Sequence, residues 1–207
     1  VAAFADAIFK GQIGKVVFLR VWGGCSRFWS PAMYPKGEAD YLLVHNGMHW
    51  MDFITWLTGE YPSGVYTLGH PGEGDVPLWE YFVVNAEFPS GAMALYEDNR
   101  IIQPQTGYPT VGNGIYAIGE NGTLSLESTG GLAVSLYNKD GLNFPGSHAY
   151  SARCEDNFAG EIRHFADCIL NDSQPAISLE HSKKVLTAVL AASESFRTAK
   201  PVEVRYE

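Results

Sequence analysis

Trp79–Glu97, WEYFVVNAEFPSGAMALYE, reads as two β-strands joined by a tight turn. Trp79, Tyr81 and Val83 alternate with Glu80, Phe82 and Val84, the period of two that sends successive side chains to opposite faces of a sheet. Pro89-Ser90-Gly91 supplies the turn, and Ala92–Glu97 resumes the strand. The same pattern holds from Val65 to Tyr137. Ile115–Ile118 and Thr123–Glu127 flank Glu120-Asn121-Gly122, and Leu132–Tyr137 runs into Asn138-Lys139-Asp140-Gly141. Consecutive hairpins predict an antiparallel sheet.

On either side of this block the period lengthens. Val1, Phe4, Ala5, Ile8 and Phe9 make one apolar helical stripe, which Gly11 and Gly14 stop. Lys15–Trp22, KVVFLRVW, is β-branched and aromatic, and reads as a strand buried on both faces. Gly23–Asp40 is then a long loop carrying Arg27, Phe28, Trp29 and Tyr34, either a pocket wall or a set of aromatics plugging the core edge. Trp50, Phe53, Ile54 and Leu57 form a second helical stripe that Gly59 closes, with Pro62 beyond. Near the end, Phe158, Ile162, Phe165, Ala166 and Ile169 share one stripe, and Val185, Val189, Ala192 and Phe196 another that Ser178 can cap. Pro201 breaks that helix, and Val202, Val204 and Tyr206 alternate as a last strand. The expected fold is α+β: a predominantly antiparallel sheet with helices packed on one face.

At 207 residues and 46% hydrophobic content, the chain can bury one substantial core and is short for two, so residues 1–207 are expected to form a single domain. A formal net charge of −9 repels a phosphate backbone, which points away from nucleic acid. No apolar run reaches the roughly 18 residues of a membrane span. Cys25, Cys154 and Cys168 are far apart and odd in number, with no metal-ligand spacing, so a reducing, cytoplasmic setting is expected. The chain opens on Val1 rather than Met, as a piece of a longer protein would. It contains no strand, G-x-G-x-x-G and helix in series, and so no dinucleotide site of its own.

The densest cluster of chemically capable side chains is His45-Asn46-Gly47-Met48-His49-Trp50-Met51-Asp52. On a helix reaching back to His45, the side chains of His45, His49, Asp52 and Trp56 share a face beside the apolar stripe, and Trp56 is expected to behave as a core residue whose truncation costs about 3 to 5 kcal/mol if buried. Three readings stay open. The histidines can be hydrogen-bonded fillers at a helix start; they can be two metal ligands, although no Glu follows His45 to complete H-E-x-x-H; or one of them can exchange a proton, since an unperturbed imidazole titrates near pH 6.5. Against a tightly held metal, Asp52 is the only other ligand in the segment, and a shared face requires an unbroken helix through Gly47.

Leu43–Gly59, LVHNGMHWMDFITWLTG, resembles the segment L-x-D-x-G-x-H-x-x-D-x-x-x-W-L-x-G of the glucose-fructose oxidoreductase/inositol dehydrogenase/MocA family, with Gly47, His49, Asp52, Trp56, Leu57 and Gly59 in register. GQIGKVVFLRV resembles that family's entry strand, Gly119–Leu124 its G-x-x-G-x-L hairpin, and Glu161–Val204 its closing helices and strand. The resemblance covers nearly the whole chain, in order. It implies the family's C-terminal domain, without the N-terminal Rossmann domain that binds NAD or NADP. It further implies His49 as acceptor of the substrate hydroxyl proton and a polarising Lys in the other domain. The family's Asp four residues before that histidine is replaced here by His45.

The implied activity is hydride transfer between a nicotinamide and a hydroxyl or carbonyl carbon of a sugar, inositol or related polyol, with this domain inactive alone. His45, Arg27, Trp29, Arg100 and Tyr108 are the substrate-contact candidates, because guanidinium forks suit carboxylates and aromatic faces suit the C–H faces of sugars. No cofactor-binding or metal-ligating residue is assigned in this chain. A homo-oligomer, dimer or tetramer, is expected through the uncovered sheet face. Two rivals remain: a sugar-sensing or regulatory member that keeps the fold and loses the chemistry, as His45 suggests, and a free-standing assembly module.

Overall fold

The computed structural model describes residues 2–24, 41–71, 79–99, 112–127, 133–147 and 154–206. The elements in chain order are α1 (Ala2–Phe9), β1 (Val16–Gly24), α2 (Tyr41–Thr58), β2 (Gly64–Pro71), β3 (Trp79–Glu87), β4 (Met93–Asn99), β5 (Gly112–Gly119), β6 (Gly122–Glu127), β7 (Ala133–Asn138), β8 (Gly141–Ser147), α3 (Cys154–Leu170), α4 (Leu179–Thr198) and β9 (Val202–Glu203). The strands form one sheet in the order β8-β7-β6-β5-β1-β4-β3-β2-β9. Two meanders, β2 to β4 and β5 to β8, are antiparallel throughout, as the hairpin turns require. β1 joins them, antiparallel to β5 and parallel to β4 with Leu19 opposite Ala94.

Alternation along the strands decides which face is covered. Leu19, Val21, Phe82, Val84, Tyr96 and Leu124 are buried against the helices, with Phe4, Met51, Ile54, Val185 and Val189 on the opposing side of one continuous core. β1 corrects one expectation: it is buried on one face only. Arg20 is exposed and Phe18 and Trp22 are half-buried, because nothing among the described residues covers the face they share. There Arg20 donates to Glu97 Oε2 at 2.8 Å and its guanidinium lies 5.1 Å from the Trp22 ring centroid. Trp22 lies flat across β5 at Gly114, where a Cβ would fall 1.8 Å from Cζ2 of the indole; only glycine leaves that space.

α2 runs unbroken through Gly47, whose α-carbon faces Val189 of α4, and ends at Gly59 with φ +72°, the left-handed position that favours glycine. Tertiary packing offsets the modest intrinsic cost of a mid-helix glycine. α4 is capped as expected: His181 N donates to Ser178 Oγ at 3.1 Å. Further departures come from packing. β9 is only Val202–Glu203, since Val204 N turns to Ser63 O. Trp56, expected in the core, is half exposed, edge-on to Phe9 at 5.1 Å. α3 forms where its periodicity places it, yet its apolar stripe is not packed on the sheet: Phe158, Ile162, Phe165 and Ile169 are 65%, 70%, 59% and 67% exposed. No helix among the described residues is long and apolar enough to cross a membrane.

Candidate functional site

The registers bring several strand ends together. Gly24 is opposite both Asn99 and Gly112, Asn99 is opposite Tyr81, and Pro71 is opposite Trp79. The end of β1, the end of β4, the start of β5 and the β2–β3 junction therefore share one end of the sheet. α2 lies over that end, and a buried contact holds it there. Asp98, the penultimate residue of β4 and almost fully buried, accepts from Asn46 Nδ2 at 2.7 Å and from the Tyr96 hydroxyl at 2.9 Å. Charge-assisted bonds of this kind are how a carboxylate survives burial. Burial, and then the neighbouring Asp98 charge, push the Tyr96 hydroxyl well above the usual tyrosine range, so it stays a proton donor.

With Asn46 turned to β4, His45 and His49 emerge on the outer side of α2, both exposed, their rings edge-on with centroids 6.1 Å apart. His49 lies about two turns into the helix rather than at its start, since α2 begins at Tyr41. Asp52 does not turn to either histidine. Its Oδ1 pairs with Nε2 of His181 on α4, whose Nδ1 lies 2.8 Å from the Tyr61 hydroxyl. One neutral tautomer, with the proton on Nε2, satisfies both contacts, the hydroxyl donating to Nδ1. Lys184 Nζ, 5.1 Å from the Tyr61 ring centroid, and the Tyr206 ring at 5.6 Å close the cluster. The Asp52–His181–Tyr61 chain ties α2 to the first turn of α4 and leaves His49 the outward titratable group of its turn.

The structure thus puts His45 and His49 together on one exposed helical face and draws Asp52 away from them. Arg27, Trp29, Arg100 and Tyr108, like most of the loop Gly23–Asp40, lie outside the described residues. Asn46, Asp98 and His181 were not singled out from sequence. Asn46 sat unassigned inside the quoted cluster; Asp98 and His181 each look like ordinary surface residues until strand register and helix pairing bring their partners to them, 52 and 129 residues away in sequence. The ligands for a metal are not gathered: among the described residues no three His, Cys, Asp or Glu side chains converge.

The family described as "Oxidoreductase family, C-terminal alpha/beta domain" matches residues 5–204. The chain is 26% identical over 215 aligned positions to scyllo-inositol 2-dehydrogenase (NAD(+)) of Bacillus subtilis (strain 168), an alignment covering 98% of this chain and 59% of that protein. An oxidoreductase from Agrobacterium radiobacter, solved in complex with NAD+, L-tartaric acid and magnesium, superposes with a TM-score of 0.81 at 15% identity, covering 98% of this chain and 61% of that one. Myo-inositol 2-dehydrogenase from Lactobacillus plantarum superposes with a TM-score of 0.76 at 21% identity, covering 97% and 60%. The chain spans about three-fifths of the length of these relatives. With the sheet and closing helices in place and residues 5–204 matched, the chain belongs to this oxidoreductase family as its C-terminal α/β domain.

Proposed function

We propose that this chain is the substrate-binding and catalytic half of an NAD(P)-dependent dehydrogenase that oxidises a hydroxyl-bearing carbon of an inositol, sugar or related polyol, with His49 as proton acceptor. The observation carrying the proposal is the placement of His49: in register with the family's histidine, exposed, and on a helix pinned through Asn46 and Asp98 over the end of the sheet where β1 and β4 terminate. A nicotinamide, which a second domain would hold, would supply the hydride acceptor. His49 accepts the hydroxyl proton as the hydride leaves the same carbon and the C–O bond becomes a carbonyl. The imidazole later releases that proton to solvent, to which it is open. His45, one turn earlier, is placed to touch the same substrate. Arg27, Trp29, Arg100 and Tyr108 are further proposed contacts. The similarity to an inositol dehydrogenase supports the polyol class.

The sequence carries no G-x-G-x-x-G between a strand and a helix, the turn that would receive the pyrophosphate of a dinucleotide. The chain by itself is therefore expected to bind neither NAD nor NADP when titrated calorimetrically, while the protein with its nucleotide-binding domain binds one of them and reduces it in the presence of an inositol or sugar. Micromolar nucleotide affinity in the chain alone would sink the two-domain reading. His45 in place of the family's Asp favours a second reading, a polyol-sensing member without chemistry. Nucleotide and polyol binding without any nicotinamide reduction would select it.

The uncovered sheet face supports self-association. Leu68 and Met93 stand half exposed among Phe18, Tyr66 and Val83, a patch of the kind that monomers seldom leave to solvent. A dimeric or tetrameric mass is expected by light scattering at micromolar concentration, and Leu68→Glu with Met93→Glu should reduce it to the monomer. A wild-type monomer would refute this.

A further inference from the structure

We infer that the exposed stripe of α3 is the surface on which the nucleotide-binding domain docks; the inference rests on the two-domain reading above. Phe158, Ile162, Phe165 and Ile169 follow one another at steps of four, three and four residues, so one helical face carries four large apolar side chains, each more than half exposed. Leu170, Ile177 and Leu179, beyond the stripe, are exposed as well. On another side of the helix two residues are engaged. Ala176 N donates to His164 Nε2 at 3.0 Å, and Cys168 Sγ, buried, lies 3.6 Å from both His164 Nε2 and the Gln174 carbonyl oxygen. The segment after α3 thus folds back on the side of His164 and Cys168 and not on the stripe. An amphipathic helix gains most of its stability from burying that stripe, which nothing among the described residues does.

Two observations choose the occupant. The relatives are longer by about two-fifths of their length, a mass that has to pack against this domain somewhere. The stripe is also tethered to the end of the sheet that α2 overlies. β8 ends at Ser147, opposite Ala133 and so at the strand-end side of the sheet that α2 overlies. The six residues from there to Cys154 span at most about 25 Å. A domain docked on α3 is thereby tethered to the same end of the sheet as the proposed site. A second copy of the chain has a separate patch, on the sheet face turned away from the helices.

The test uses the full-length protein with Ile162→Asp and Phe165→Asp together, followed by thermal unfolding, light scattering, nucleotide titration and turnover. Docking predicts that the single cooperative transition of the wild type splits into two, that nucleotide affinity and native mass hold, and that turnover falls about a hundred-fold as the two halves lose register. A halved mass with an unsplit transition would assign the stripe to a second copy and overturn the inference; a variant unchanged in every readout would leave it bare surface and overturn it too. Should the variant not fold, wild-type amide exchange decides: residues 158–170 protected as slowly as residues 185–192 of α4 support docking, and exchange at the rate of a frayed helix refutes it. A wild type that binds no nicotinamide nucleotide would defeat the functional reading, whereas the split transition and the exchange pattern would still report whether α3 seats another domain.

Discussion

His49→Asn in the full-length protein should lower kcat by about a hundred- to ten-thousand-fold, the range typical of losing a general base. Nucleotide affinity and melting temperature should barely move. The structural grounds for that selectivity are direct. His49 is exposed, so the change opens no cavity, and the contacts that hold its helix belong to other residues: Asn46 to Asp98, and Asp52 to His181. Asparagine keeps a polar side chain at the position and removes the proton acceptor. Undiminished turnover would refute the assignment, and joint loss of turnover and folding would return His49 to a structural role.

Phe82→Ala is expected to carry the largest stability loss of any single truncation considered, about 3 to 5 kcal/mol. Phe82 is completely buried at the centre of β3, with its ring edge-on to Tyr96 at 5.4 Å. The cavity would open beneath the side chain whose hydroxyl serves Asp98, and thus beneath the anchor of α2. Chemical denaturation should show a lower midpoint at unchanged m-value. A loss under about 1 kcal/mol would mean that the core collapses around the gap more completely than β-sheet packing normally allows. Trp56→Ala makes the comparison. Placed in the family motif, Trp56 reads as a core residue with a similar cost, but it stands half exposed between Phe9 and Phe53 and should cost only about 1 to 1.5 kcal/mol, half the burial value of a large apolar side chain.

What could be read from residues alone followed the range of the interactions involved. Strand alternation in Trp79–Glu97, the turns at Gly91 and Gly122, the cap at Ser178 and the stop at Gly59 depend on neighbours within a few residues, and each stands where the local pattern puts it. The family segment around His49 was legible for the same reason: its spacing is one helical face. The parallel splice of β1 onto β4 was not, because Leu19 and Ala94 lie far apart in sequence and nothing in either strand names its partner. Nor could sequence distinguish the stripe of α3 from that of α4. The two have the same period, but Val185 and Val189 find the sheet and α2, whereas Phe158 and Ile162 face solvent. The chemistry of Asp52 and Asp98 was likewise settled by tertiary structure. Periodicity assigns a side chain to a face; only the packing of α2 against β4 and α4 determines that one of these carboxylates is buried under Asn46 and that the other is drawn from the histidines of its own helix to His181.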